Sequence, residues 1–566
     1  MGAERMSVFD RKDSSERADV VAGVEAAGSD AIATSPVAPL NAAADGAEAA
    51  TAGEGSRGLA ELQRRRAAAL AMGGHERIER HHASGRLTAR ERIVALVDDG
   101  SWRELGLLAE PELRRDAYAP GDAIVTGLAR IAGRRVCILA IDATVLAGTT
   151  APVNMRKQNR VADWAGRRGM PLICLSDNDG GRLPDLLGWR FSSLPFDFSS
   201  FLQSPEGCPA VPRVTAVLGP SYGDAALHAA MGDFVVMKHD TAIALSGPPV
   251  IKGAIGEDVE ADELGGPAVA AGTSGSAHLV VEDELAALAA VRHFLTYLPD
   301  SAALPAPSAP SRPPSRDPEQ LLGLVPEHAR RGYDMRRVLE AIVDGDSLFY
   351  WGERFGRSLI CALARLDGQP VGVIASQPMQ RAGVLDVPAL NKEVAFVDLC
   401  DRFNLPLVFF QDVPGLMIGT EAERGGILRC YERVVTKLAQ AGIPKIAVIV
   451  RKAYGGGHIA LGGRPVKPDL LVAWPSAELG FMAPDTGVRT VHRRRLDAVA
   501  AEQGETARDE LAATLEAEWA AESAPWEAAA NIVLDDVIDP RETRELLITG
   551  IDFAWGSRPR VSSAGR

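Results

Sequence analysis

Apolar residues first fall at helical spacing at Leu59, Leu62, Ala67 and Leu70, opposite a basic face from Arg64 to Arg66. This predicts a helix that begins near Ser56 and is interrupted at Gly73-Gly74. A second helix is predicted through Leu87-Thr88-Ala89-Arg90-Glu91-Arg92-Ile93. From about Ala123 the pattern changes to short β-like runs, such as Val136-Cys137-Ile138-Leu139-Ala140, alternating with helical ones. Such alternation predicts α/β layering, here to about Pro299. Residues 303–318 are a Pro/Ser segment that favours a stiff, extended connection. The α/β texture then resumes to about Ile538. The expected division is a tail over 1–55, a first unit over 56–300, a linker over 301–326, a second unit over 327–555 and a tail over 556–566.

The two units read as copies. Ala129-Arg130-Ile131-Ala132-Gly133 recurs as Ala364-Arg365-Leu366-Asp367-Gly368, an offset that also carries Val136 to Val371, Lys157 to Lys392, Pro171-Leu172-Ile173 to Pro406-Leu407-Val408 and Asp177 to Asp412. After a three-residue gap, Val211-Pro212-Arg213-Val214 matches Ile443-Pro444-Lys445-Ile446, and Ser221-Tyr222-Gly223 matches Ala453-Tyr454-Gly455. An ordered series of this kind predicts an internal duplication. Two copies packed about a pseudo-twofold axis would present their strand-to-helix loops across one cleft.

Composition narrows the function. With 61 Lys+Arg against 75 Asp+Glu, the 566-residue chain carries −14, which argues against a general nucleic-acid binder but leaves room for a local basic cleft. No apolar stretch is long enough to span a membrane. The six cysteines form no CxxC pair and sit mostly in apolar runs, as reduced thiols of a cytoplasmic protein do, so no metal site is expected. The first 55 residues are rich in Ala, Gly, Ser and acids, and match neither a secretory nor a transit signal. They are expected to be disordered.

Two glycine loops carry the candidate chemistry. Ile173-Cys174-Leu175-Ser176 leads into Asp177-Asn178-Asp179-Gly180-Gly181-Arg182, and Ile446-Ala447-Val448-Ile449-Val450 leads into Arg451-Lys452-Ala453-Tyr454-Gly455-Gly456-Gly457-His458. Glycines that open a helix expose unpaired N–H groups at the positive end of its dipole. Such a pair can hold a developing oxyanion, each donor contributing about 3 kcal/mol in a dry site. Neither loop is GxGxxG after a first strand or GxxxxGK[ST], so nucleotide binding fits poorly. A plain glycine turn is the competing reading of either loop alone.

From about Gly58 to Arg544 the chain resembles the carboxyltransferase (beta) subunit of biotin-dependent acyl-CoA carboxylases, propionyl-CoA carboxylase type. The resemblance is carried by Gly85-Arg86-Leu87-Thr88-Ala89-Arg90-Glu91-Arg92, residues 253–266, Ala375-Ser376-Gln377-Pro378, Asp412-Val413-Pro414-Gly415, Gly419-Thr420-Glu421, Arg451 to Gly456 and residues 535–544 (DDVIDPRETR). It implies a crotonase-like fold in both units and a ring of subunits, typically a hexamer. Carboxybiotin, on a separate carrier protein supplied with a biotin carboxylase, would meet an acyl-CoA. Gly180 and Gly181 match the family's positions for the thioester enolate oxygen, and Gly456 and Gly457 those for the biotin ureido oxygen, with Gly455 beside them. Arg182, Lys157, Ile459 and Tyr454 are the further substrate-contacting candidates. Lys157 and Lys392 would meet CoA phosphates or the carrier, or else lie on solvated helix faces. No nucleic acid or membrane partner is implied. Other readings are a non-catalytic assembly or regulatory paralogue, and a biotin-dependent acyl-CoA decarboxylase or transcarboxylase.

The sequence departs from the family at several points. Asp179 and Asp224 stand where glycines are usual, Gly181 where alanine is, and His458 and Ile459 where Tyr and often Asp are. A carboxylate 4 Å from a forming oxyanion costs up to ~4 kcal/mol at an effective dielectric of 20. The two aspartates are therefore expected to face solvent, pair with Arg182 or accommodate an unusual acyl group. His458 reads as a packed residue beside the loop, with proton donation the alternative. Lys238 lies in a core-strand pattern that does not fit a biotin attachment site, and Arg493-Arg494-Arg495 reads as a solvated helix face.

Overall fold

The computed structural model describes residues 54–113, 119–197, 207–328 and 331–555. Of the tails expected over 1–55 and 556–566, residues 1–53 and 556–566 lie outside the described residues, and 54–55 open the first helix instead. Leu62–Arg566 forms one compact unit that holds both copies.

The duplication is written in the topology. One sheet contains β1 (Arg103–Leu105), β2 (Ile124–Ile131), β3 (Arg134–Ile141), β4 (Leu172–Asn178), β5 (Arg213–Tyr222), β6 (Phe234–Lys238), β7 (Ile243–Ala244) and β8 (Leu279–Val281). Its order is β1-β2-β3-β4-β5-β6-β8, with β7 pairing beside β5. The second contains β9 (Phe349–Tyr350), β10 (Leu359–Leu366), β11 (Gln369–Ser376), β12 (Leu407–Val413), β13 (Lys445–Tyr454), β14 (Leu470–Ala473), β15 (Glu478–Gly480) and β16 (Asp536–Val537). Read from its other edge, it repeats the same order, β9-β10-β11-β12-β13-β14-β16, with β15 beside β13. In each sheet an antiparallel edge leads into parallel strands. Central strands β4 and β12 are buried along their whole length, as their continuous apolar runs require. This is the α/β fold that the sequence predicts.

The expected first helices form as Glu54–Leu70, His75–Ala83 and Ala89–Leu96. The last begins at a capping box: Glu91 N donates to Thr88 Oγ1, and Thr88 N donates to Glu91 Oε2. Residues 305–314 contain no helix or strand and run as an extended strap, pinned by Ala309 N to Gly368 O and by Arg365 Nη1 to Pro307 O. Lys238 ends buried strand β6 and pairs with Asp240, and Arg493, Arg494 and Arg495 are exposed on the helix Arg493–Gln503.

The halves share an aromatic seam. His278 stacks on Trp351 at 3.9 Å, Phe234 packs on Phe294 and Phe349, and Trp351 Nε1 donates to Asp233 O. Burial against this stack holds the His278 ring neutral, its pKa pushed down to about 3. Asp233 receives Arg402 of the second half at 2.7 Å while its other oxygen accepts Arg213 N.

The motif Gly85-to-Arg92 has a structural task. Buried Arg92 lies 3.0 Å from Asp177 and also donates to Glu284 through Nε and Nη2, and Arg86 reaches Asp177 at 3.2 Å. Asp177 sits in the last turn-ward stretch of β4, so this network fixes the strand end from which the first glycine loop departs. Gly219 on β5 makes room for it, since a Cβ there would lie 1.9 Å from Asp177 Oδ1. The second copy uses the same device with other residues: Arg451 clamps Asp412 at 2.9 Å and donates to the carbonyls of Pro326, His328 and Arg331. Removing one partner from such a buried pair leaves an uncompensated charge. Arg92→Met is expected to destabilise the protein by about 3–5 kcal/mol, read as a lowered midpoint in denaturant unfolding; an unchanged midpoint would contradict this role.

Candidate functional site

The two glycine loops are not equivalent positions of the duplicated fold. Gly180-Gly181 follows β4, and its counterpart after β12 is Gly415-Leu416; the isolated bridges Thr150–Gly181 and Leu385–Leu416 coincide. Gly456-Gly457 follows β13, and its counterpart after β5 is Asp224-Ala225. Each half therefore presents two turns side by side. A Cβ on Gly223 would lie 3.9 Å from Gly180 Cα, and one on Gly457 would lie 3.0 Å from Gly415 Cα and 2.6 Å from Val413 Cγ2. The backbone approach at Gly457 leaves no room for a side chain.

The second turn opens the helix Gly455–Ala460, where the amides of Gly456 and Gly457, in the first turn, have no intrahelical acceptor. Gly455 and Gly456 are half-buried and Gly457 is buried. Tyr454, buried, donates its hydroxyl to Glu478. Its phenol therefore belongs to the strand framework. Ile459 is half-buried and packs against the main core. His458 is held in one orientation: Gln411 Nε2 donates to Leu461 O, which turns Gln411 Oε1 toward His458 Nδ1 at 2.8 Å. Burial lowers its pKa to about 4, so the ring is a neutral, packed residue at physiological pH.

At the first turn Gly180 is buried and Gly181 half-buried. Arg182 does not pair with either unusual aspartate. Its guanidinium is buried against Asp122 at 2.6 Å, Asp185 at 3.3 Å and Thr149 O at 2.9 Å. Asp179 is exposed. Asp224 does not pair with Arg182: half-buried, it accepts from Thr150 Oγ1 at 2.9 Å. Burial raises its pKa to about 6, partly offset by Thr150, the amides of Asp224 and Ala225, and Gln158.

Neither lysine of the repeat lies on a solvated helix face. Lys157 Nζ donates to the carbonyls of Gly121 and Ile124, and Lys392 Nζ to those of Gly352, Phe355 and Leu359. Desolvation lowers both to about 8. The offset that relates the lysines also relates Ile124 to Leu359, so this tether is a shared part of the fold.

The expectation of one cleft between the two lobes of a single chain is not met. Arg213 begins β5 at the seam, and Gly180 lies against Tyr222 at the other end of that ten-residue strand. That is about 30 Å away at 3.3 Å per residue. Arg365 near the end of β10, and Arg402 and Asn404 just before β12, reach Thr296 O, Asp233 and Ala302 O from the end of the sheet where β11 and β12 start, whereas Gly455 follows the end of parallel strand β13. Each turn faces away from the seam, ringed by exposed apolar side chains: Leu183, Leu187, Trp189 and Leu245 at the first, and Ile418 and Phe481 at the second.

Beside the first turn lies an open, basic cavity of about 500 Å³, lined by Arg77, Arg80, His81, Arg86, Thr144 and Ala147 among others. Ala147 O accepts Asp179 N at 3.1 Å, which joins cavity and turn. Sequence periodicity could not place this cavity, because its arginines come from the helix His75–Ala83 and the loop after it, and its floor from the loop after β3.

Residues 80–563 match the carboxyl transferase domain model. The chain belongs to the carboxyl transferase family. It is 36% identical over 504 residues to the propionyl-CoA carboxylase carboxyltransferase subunit of Haloferax mediterranei, covering 88% of this chain and 96% of that one. It is 33% identical to the methylmalonyl-CoA decarboxylase subunit alpha of Veillonella parvula, again over 88% and 96%. A crystal structure of transcarboxylase 12S, described as a hexamer assembly with methylmalonyl-coenzyme A and methylmalonic acid bound, superposes with a TM-score of 0.82 at 32% identity, covering 91% of this chain and 99% of that one. The resemblance to carboxyltransferase subunits is thus borne out, and the protein is an enzyme. Among the described residues, no group of side chains could hold a metal ion and no helix is long and apolar enough to cross a membrane.

Burial of Asp224 has a measurable consequence for stability. Its folded pKa lies above the ordinary 3.8, so the penalty for ionising it grows between pH 3.8 and about 6 and is constant above. Asp224→Asn is expected to stabilise the protein at pH 7.5 by on the order of 2 kcal/mol relative to its effect at pH 4.5, measured by thermal unfolding at both pH values; an equal shift at both would refute the buried titration.

Proposed function

We propose that this protein is the carboxyltransferase subunit that moves a carboxyl group from carboxybiotin to the α-carbon of an acyl-CoA. The observation that carries this reading is the pair of amides at Gly456 and Gly457, kept open by residues that cannot be enlarged, together with a basic cavity adjoining the first glycine turn. Arg77, Arg80 and Arg86 supply the positive charge that suits the phosphates of a coenzyme A tail, and Ala147 of the cavity wall binds Asp179 of the turn that holds Gly181, whose amide donates to no protein acceptor among the described residues. That amide is the donor for a thioester oxygen as it gains charge.

Carboxybiotin, delivered by a separate carrier protein, supplies the carboxyl group. The amides of Gly456 and Gly457 suit its urea oxygen, a neutral acceptor that gains negative charge when the carboxyl departs. No side-chain base is required of the chain: His458 is neutral and locked to Gln411, and Tyr454 is spent on Glu478. What the protein must supply is donors on both sides and exclusion of water.

Since the two turns face away from the seam of their own chain, the complete site forms between two copies. The apolar side chains around each turn are the surfaces that would close on one another, as large exposed patches at a functional edge commonly do. A hexamer, the assembly named for transcarboxylase 12S, would contain such contacts. The methylmalonyl-CoA decarboxylase relative favours a second direction of use, removal of the carboxyl group from a branched malonyl thioester by the same two turns.

The test is an acyl-CoA panel offered to the purified protein with a biotin carboxylase and a biotinylated carrier, and methylmalonyl-CoA with the carrier alone. We expect carboxyl transfer in at least one direction, and its loss by more than 100-fold in Gly456→Val with assembly unchanged. The added side chain would press on Leu416 and Tyr431, whose atoms lie 3.0 and 3.3 Å from a Cβ there. Absence of transfer with every substrate would favour the non-catalytic reading, and an active Gly456→Val would remove this turn from the site.

A further inference from the structure

The duplicated fold provides its own control for the first glycine turn. In the second half Leu385 N donates to Gly415 O at 3.1 Å and Met417 N to Leu385 O at 2.8 Å; in the first, Thr150 N donates to Gly180 O at 2.9 Å and Arg182 N to Thr150 O at 2.8 Å. The backbones agree, and the side chains do not. Where the second half has Val413, Leu385 and Gly456, the first has Asn178, Thr150 and Asp224. These three residues are joined. Gly180 N donates to Asn178 Oδ1, Asn178 Nδ2 donates to Thr150 Oγ1 at 2.9 Å, and Thr150 Oγ1 donates to Asp224 Oδ2 at 2.9 Å. A second Asn178 bond, to Gly148 O at 2.9 Å, fixes the amide group's orientation.

We propose that Asp224 is a positioning residue for the first turn: through Thr150 and Asn178 it keeps the Gly180 amide engaged within the protein, so that Gly181 is the single donor offered to the acyl oxygen. This rests on the carboxyl-transfer reading above and names what sets the strength of its acyl side. An ionised Asp224 polarises the whole series and opposes negative charge on a nearby thioester oxygen. A neutral Asp224 is a weaker acceptor for Thr150 and carries no opposing charge. The titratable groups packed beside it stay neutral across the working range: the Cys174 thiol on β4 is pushed up to about 12 by burial, with Asp224 adding to it, and His228, one turn along the helix Asp224–Ala230, is pushed down to about 4. Gln158 approaches from the helix Pro152–Arg168 and carries no charge. Asp179 lies on the turn itself, facing Tyr222. Transfer is therefore expected to quicken as pH falls through about 6.

The experiment uses the full-length protein and two readouts. The first is carboxyl transfer from methylmalonyl-CoA to free biotin, with kcat and KM followed from pH 5 to 8.5. The second is binding of a nitro analogue of the acyl-CoA, whose nitronate mimics the enolate and needs no turnover. For Asn178→Ser we expect roughly tenfold higher kcat and roughly tenfold tighter nitronate binding at pH 7.5, with KM for the thioester moved less than twofold. For Asp224→Asn, isosteric and still able to accept from Thr150, we expect the same direction and loss of the pH dependence near 6. Profiles of both variants that coincide with wild type, or variants that lose kcat and binding in proportion to their folded fraction, would overturn the proposal. Wild-type protein that neither transfers nor binds the nitronate would instead overturn the carboxyl-transfer reading, which the nitronate affinity of the two variants would still leave separable from the relay.

Discussion

A buried carboxylate at the end of a central strand, clamped by an arginine from another element, is the constraint on which the site depends. Asp177 is held by Arg92 and Arg86, and Asp412 by Arg451. Each pair fixes where a strand stops, and each glycine turn starts within a few residues of that point. Neither carboxylate reaches solvent, and Arg92 and Arg451 are buried with them, so these two pairs are desolvated and intolerant of a missing partner. The strings that make the family recognisable are in large part this scaffold. Arg451 gives its guanidinium to a carboxylate and three carbonyls, and the DDVIDPRETR string caps and anchors the C-terminal helix: Arg544 reaches Asp344 and Ile342 O.

Much of this was legible in the chain itself. The two repeat offsets anticipate two sheets with one strand order, and the apolar runs at Ile173 and Ile446 mark their central strands. The same offsets already assign the two glycine loops to different strands of the repeat, β4 and β13, although glycine content alone makes them look alike. Side-chain destinations were less accessible. Lys157 and Lys392 have the spacing of solvated helix residues, and only the tertiary fold brings backbone carbonyls around their amines. Arg182 adjoins Asp179 in sequence yet is drawn to Asp122, sixty residues earlier, because that carboxylate shares its buried pocket. The seam could not be read either, since His278, Trp351 and Arg402 are separated by long stretches and become neighbours through packing.

The unusual aspartates separate into two cases. Asp179 is exposed at the turn, and its charge is open to solvent screening. Asp224 is half-buried at the start of the helix Asp224–Ala230 and is tied to Thr150. The turn after β5 thereby carries a carboxylate where its counterpart after β13 has Gly456, and the two halves of a symmetric fold differ in charge at this point. An asymmetric pair suits a reaction whose two oxygens belong to different molecules, a thioester on one side and a urea on the other.

The central claim is that the two turns act together although each chain holds them apart. Complementation tests it most directly. Gly181→Val and Gly456→Val each disable one turn, and the two inactive proteins are mixed, dissociated and reassembled. If a site is built from the first turn of one copy and the second turn of another, sites made of two unaltered turns reappear, and about a quarter of wild-type transfer returns under random pairing. No recovery in a mixture shown to contain mixed oligomers would contradict the account.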